Sequence, residues 1–216
     1  MTTARIRLTS IFIIFAFLAL TGCQAGYYAA MEKLGKEKRH LLKGNVEDVQ
    51  ESQTKAQAEF KDALTRIKEI SNFDGGDLER FYKRLKSSYE DCQSRADQIE
   101  NRIDKVETVA ADLFVEWQKE IDQMNDTTLT TSSRASLSNA KAKYQRLAST
   151  MNQSTKSMYP VLTKLNDYVL YLKHNLNAQA VGALGQEMVS IEKEVTRLIA
   201  DMNTSITEAG HFIETF

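Results

Sequence analysis

The sequence predicts an all-α chain: an elongated antiparallel helical bundle, or coiled coil, of about four long helices. Three observations lead there. Apolar residues recur every three or four positions over most of the chain, the spacing that gathers them on one face of a helix. Proline occurs once, at Pro160, and there are 9 glycines in 216 residues, too few for the many turns of a β-rich chain. Good helix formers (Ala, Glu, Lys, Gln and Leu) are abundant.

The first 22 residues stand apart as a signal peptide. Arg5 and Arg7 make a basic start, and Ile11 to Leu20 is an unbroken apolar run. That run is shorter than the roughly 20 residues a membrane-spanning helix needs, and it suits a secretory leader. Leu20-Thr21-Gly22-Cys23 then resembles the lipobox of bacterial lipoproteins. The resemblance implies cleavage before Cys23, diacylglycerol on its thiol and an acyl chain on its new amino group. These covalent lipids are the only cofactor-like groups expected. Gln24 follows, where Asp tends to retain such proteins at the inner membrane, so the expected place is the outer membrane, on its periplasmic face. Several acyl chains hold firmly, at about 0.8 kcal/mol per buried methylene, whereas one chain alone is marginal.

Residues 23–45 form a lipid-proximal segment with a short amphipathic helix. Tyr27, Met31, Leu34 and Leu41 share one face, and Lys33, Lys36, Lys38, Arg39 and Lys43 outnumber Glu32 and Glu37 on the other. Such a helix can lie on lipid headgroups, or can simply open the first bundle helix with its charges in water. Gly35 and Gly44-Asn45 are expected to loosen it from the bundle.

Residues 46–216 carry the bundle. The first stripe is Val46, Val49, Ala56, Phe60, Leu64, Ile67 and Ile70, interrupted by Gln53. Gly75-Gly76 reverses the chain, with Asp77 as the expected cap of the next helix. The clearest seam comes next: Leu78, Phe81, Leu85, Tyr89, Cys92, Ala96, Ile99, Ile103, Val106, Ala110, Leu113, Trp117, Ile121 and Met124. A polar turn is expected over Asn125–Ser133. The third stripe runs from Leu137 to Leu176, interrupted by Ser154, with Pro160 expected to kink or divide the helix near Ser157. The stretch His174–Gly185 is a softer break, and Leu184 to Ile213 make the fourth stripe. Each stripe is one-sided, so the four must bury one another.

Few residues suggest chemistry. His40, His174 and His211 are far apart, with no metal-binding spacing and no paired cysteines. No metal site and no catalytic residue is expected. Glycine loops of the phosphate-binding kinds and a GxSxG nucleophile turn are missing from the sequence. With Cys23 lipidated, Cys92 is the one thiol left; its place on a seam reads as a small buried hydrophobe. Trp117 reads as a seam anchor, and Asp74, Asp77 and Glu79 as turn and cap residues. His174, Asn175 and Asn177 are the most distinctive polar cluster, either bonding backbone at a helix corner or forming a recognition surface. With 28 basic against 29 acidic residues, nucleic acid is not an expected partner.

Several pieces in order, "YYAAMEKLG", "EKR", "FDGGDLE", "LFVEW", "YPVL" and "LKHNLNA", together resemble a family of bacterial lipoproteins with a domain of unknown function numbered 2959. The resemblance spans nearly all of the chain after Cys23. It implies a lipidated, helical envelope protein and brings no catalytic residues with it. The expected function is that of a non-enzymatic scaffold or adaptor touching the membrane through its anchor and other envelope proteins along its helices. The alternative is a module that binds or shapes a membrane surface. An enzyme or ligand-binding protein using the His174–Asn177 corner is the third reading. Oligomeric state is open.

Overall fold

A computed structural model describes residues 27, 28, 31, 37–69 and 78–216, the side chains of 178 and 179 excepted. The chain divides into two compact units, Met1–Leu42 and Lys43–Phe216. Cys23, Lys33, Lys36, Gly35, Ile70, Gly75, Gly76 and Asp77 lie outside the described residues.

Among the described residues there are four long helices and no strand: α1 (Lys38–Glu69), α2 (Leu78–Ile121), α3 (Thr127–His174) and α4 (Ala178–Thr215). At 1.5 Å per residue, α2 is about 66 Å long and α3 about 72 Å.

In the second unit the four helices close a ring in chain order. Arg102 pairs with Asp48 at 3.2 Å and Arg95 with Glu59 at 3.5 Å, joining α2 to α1. Trp117 Nε1 donates to Ser133 Oγ at 3.0 Å and Asn152 to Glu107 at 3.3 Å, joining α2 to α3. Gln153 donates to Asp201 at 3.2 Å and Arg146 pairs with Glu208 at 3.5 Å, joining α3 to α4. Gln50 Nε2 donates to the Ile206 carbonyl at 3.0 Å and Gln57 to Asn203 Oδ1 at 2.8 Å, joining α4 back to α1. In every pair one residue number rises as the other falls, so all neighbours are antiparallel. This is an up-down-up-down four-helix bundle in which α1 and α3 face each other diagonally.

Charge suits that order. On α3, Arg134, Lys141, Lys143, Arg146, Lys156, Lys164 and Lys173 stand against one acid, Asp167. Its neighbour α4 holds Glu187, Glu192, Glu194, Asp201, Glu208 and Glu214 against Lys193 and Arg197. Each rim pair contributes only about 0–1 kcal/mol, but like-charged neighbours would repel along the whole seam.

The stripes are the core. Val46, Val49, Phe60, Leu85, Ile99, Leu147, Met151, Leu165, Ile191, Leu198 and Met202 are fully buried or nearly so. The edges of the stripes differ from the sequence reading. Ala63 rather than Leu64 faces the core of α1, while Tyr89 and Trp117 are half-buried, and Met124 and Leu176 are exposed. Val109, Phe114, Leu162, Val169 and Phe212 are buried additions. A straight helix drifts about 20° per heptad, so a strict three-four count loses its face over six heptads.

Three expectations about helix limits are corrected. First, α1 passes through Gly44 and Asn45 without a break, because Val46 and Val49 continue the buried face beyond them. Second, the Ser/Thr-rich run after Asp126 is helix, not turn. Asp126 caps it by accepting from Leu129 N at 2.8 Å, and the Thr130 and Thr131 hydroxyls donate to the carbonyls four residues back. Those hydroxyls are thereby satisfied within the helix rather than competing with it. Third, Pro160 does not divide α3. It sits on the exposed side, where the carbonyl it leaves unbonded can be solvated, and Met158, Val161 and Leu165 hold both sides of it in one core.

Candidate functional site

Two groups of side chains were singled out by sequence, and each sits in a different unit or at a different corner. The basic group belongs to the start of α1. Lys38 lies over the Tyr28 ring at 4.7 Å, and the Tyr27 and Tyr28 rings are 5.7 Å apart. Tyr28 is buried and Tyr27 exposed. Arg39 and His40 are exposed; Lys43, the first residue of the second unit, is half-buried. The first turn of α1 thus holds Lys38 and Arg39 and no acid. Cations there oppose the positive end of the helix dipole, so helix formation gives no reason for them.

The second group is the α3–α4 corner. Asn175 closes α3: its backbone N–H donates to the Leu172 carbonyl at 3.2 Å and its Nδ2 to the Tyr171 carbonyl at 2.9 Å. Asn177 opens α4 in extended backbone, φ −145°, and its Oδ1 accepts from Ala180 N at 3.0 Å. Both asparagines therefore serve the backbone of the corner. His174 is exposed beside them, with Leu170, Tyr171 and Leu176 also exposed. The exposed side chains of the corner are mixed, since Lys173 and Asn177 stand there with Leu170, Tyr171, His174 and Leu176.

Cys92 is fully buried, and burial, with the nearby Glu59 carboxylate, pushes its thiol up to about 12. It is therefore protonated and a poor nucleophile. Burial also raises the Tyr168 and Tyr144 phenols to about 12, helped by Glu187 and Glu107 respectively. Among the described residues no three or more His, Cys, Asp or Glu side chains gather to hold a metal ion.

The sequence reading passed over one feature. Gln53 and Ser154, noted only as interruptions of two stripes, meet in the core: Gln53 Nε2 donates to Ser154 Oγ at 2.7 Å across the bundle's diagonal. Both are fully buried, and so is Ser205 on α4. The signal was in the sequence, since a polar residue on each of two otherwise apolar stripes needs a partner. Which partner it finds depends on which helices oppose each other.

Among the described residues no helix is long and apolar enough to cross a membrane. Comparison with curated proteins and with solved structures finds no match for the chain. A family model does match, over residues 27–216, which takes in all four helices, and its description is that of a protein of unknown function. The chain belongs to that family, DUF2959.

Proposed function

We propose that this protein is an outer-membrane-anchored lipoprotein on the periplasmic face, a non-enzymatic scaffold or adaptor held by diacylglycerol and an acyl chain on Cys23. The observation that carries the reading is the Leu20–Cys23 motif lying directly ahead of a long helical bundle. A bundle of this length offers partners continuous helix faces and two ends, and the exposed Leu170, Tyr171 and Leu176 beside His174 make the α3–α4 corner a favoured contact point. Metabolic labelling of cells with an alkyne fatty acid is expected to mark the protein, and Cys23→Ser to abolish the mark. Cross-linking in intact cells followed by mass spectrometry is expected to recover envelope proteins. Failure to recover any, with the lipid label present, would leave an anchored protein without the scaffold role.

A membrane-surface module is the second reading. It is favoured by the first turn of α1, where Lys38 and Arg39 run against the helix dipole. Liposomes containing anionic lipid should then bind Cys23→Ser protein, and changing Lys36, Lys38 and Arg39 to Glu should release it. Unchanged binding by the triple variant would sink this reading.

A further inference from the structure

The apolar stripes explain why four helices associate, but they do not specify one axial alignment. Val, Ala and Leu recur along every stripe, joined by Phe, Ile or Met, and a helix slid by one turn still meets apolar side chains. One level of the core is different. Gln53 of α1 bonds Ser154 of α3 at 2.7 Å, and both are fully removed from solvent. Ser205 of α4 shares this level, because Gln50–Ile206 and Gln57–Asn203 bracket Gln53 and Ser205 on the α1–α4 interface. Gln53 Oε1 and Ser205 Oγ are buried without a hydrogen-bond partner in the protein.

We propose that this polar level is a register lock that seats α1 at one height against α3 and α4, at a cost in stability. One turn away on its stripe, Ser154 is flanked by Met151 and Met158; Ser205 is flanked by Met202 and Ala209. Sliding α1 by a turn toward Met151 therefore carries the Gln53 amide to thioether and methyl groups, and sliding it the other way brings it toward Met158 and toward Ser157, whose hydroxyl is already held by Asp201 and Gln153. The lock is asymmetric. Ser154 Oγ donates to the Met151 carbonyl at 2.8 Å and keeps that bond if Gln53 is lost. Gln53 has Ser154 as its side-chain partner and is stranded if Ser154 is lost. Stranding a buried polar group costs more than removing both members of a pair.

Two measurements on the full chain test this together. In thermal unfolding, Ser154→Ala should lower the midpoint by roughly 3–8 °C, while Gln53→Leu with Ser154→Ala should return it to the parent value or above. Register is read by oxidative cross-linking, with the bonded pairs mapped by mass spectrometry. Gln57→Cys with Asn203→Cys reports the native height, and Gln57→Cys with Thr207→Cys a slide of one turn. Cys23 is replaced by Ser throughout, and Cys92 stays in place, since its thiol is fully buried and protonated. With the lock intact the native pair should form at least about tenfold faster than the slid pair. In the Gln53→Leu, Ser154→Ala background the slid pair should gain at least about tenfold on the native one. An unchanged ratio there, or a Ser154→Ala variant no less stable than Gln53→Leu, overturns the proposal.

Discussion

Two levels of the same core can be set side by side. Around Leu85 and Cys92 on α2 the core is apolar, and both are fully buried, as are Phe60, Ala63 and Ile67 on α1 at the same height. At the level of Gln53, Ser154 and Ser205 the core holds an amide and two hydroxyls that are equally buried. The first kind of level is where dehydration of apolar surface stabilises the bundle, at about 25 cal/mol per Å². The second gives up part of that gain, because each buried polar atom must recover the hydrogen bonds it made with water. Burial alone therefore does not say what a core position does. Two residues with the same zero exposure can act on stability in opposite directions.

Emptying an apolar level should have the largest effect. Leu147→Ala removes a fully buried side chain from the middle of α3 and should cost roughly 2–5 kcal/mol in urea unfolding. A cost below about 1 kcal/mol would mean that the dry levels do not carry the bundle. The next effect reads the apolar level by pH. The folded Cys92 thiol titrates at about 12 and an ordinary one at 9.0. Below 9 both states keep the proton and the contribution to stability is complete. Between 9 and 12 the unfolded chain loses its proton first, so stability declines as pH rises, by up to roughly 4 kcal/mol. Tyr144 and Tyr168, ordinarily at 10.0, add a decline that begins between 9 and 10 and steepens above 10. Unfolding measured between pH 9 and 10 should therefore slope downward in the parent chain and clearly less steeply in Cys92→Ala.

Smaller effects lie away from both levels. Asp126→Ala strands the Leu129 N–H at the start of α3 and should cost about 1 kcal/mol, seen as fraying of that turn by hydrogen exchange. Arg146→Ala removes a rim pair with Glu208 whose partners remain partly solvated, and should change stability by about 0–1 kcal/mol, vanishing in high salt. A larger loss there would move the weight of the fold from its core to its charged seams.

Much of this was legible in the chain. Leu85, Ile99, Ile103 and Val106 sit in the core where their spacing puts them, and Cys92 is the buried small hydrophobe its place on the seam implied. The corner asparagines were readable as backbone partners because short amides suit helix ends, and Asn175 and Asn177 take those positions. Less legible were the ends. The threonines and serines after Asp126 look like a turn by composition, yet the cap at Asp126 and the apolar positions beyond, from Leu137 on, pull them into the helix. Gly44 and Pro160 look like breaks, yet each lies between residues whose burial holds the helix together.

Spacing along the chain is enough to make it helical, to place its apolar stripes, and to show that two of them carry a polar residue, at Gln53 and Ser154. Periodicity is a local property, written in steps of three and four. That α1 stands diagonally across from α3, so that residues 101 positions apart become hydrogen-bond partners, was settled by the packing of the four helices and by nothing local. The reason is geometric. A one-sided helix specifies that its apolar face must be covered, but not by which helix or at what height, and those choices are made only when four such faces close on one another.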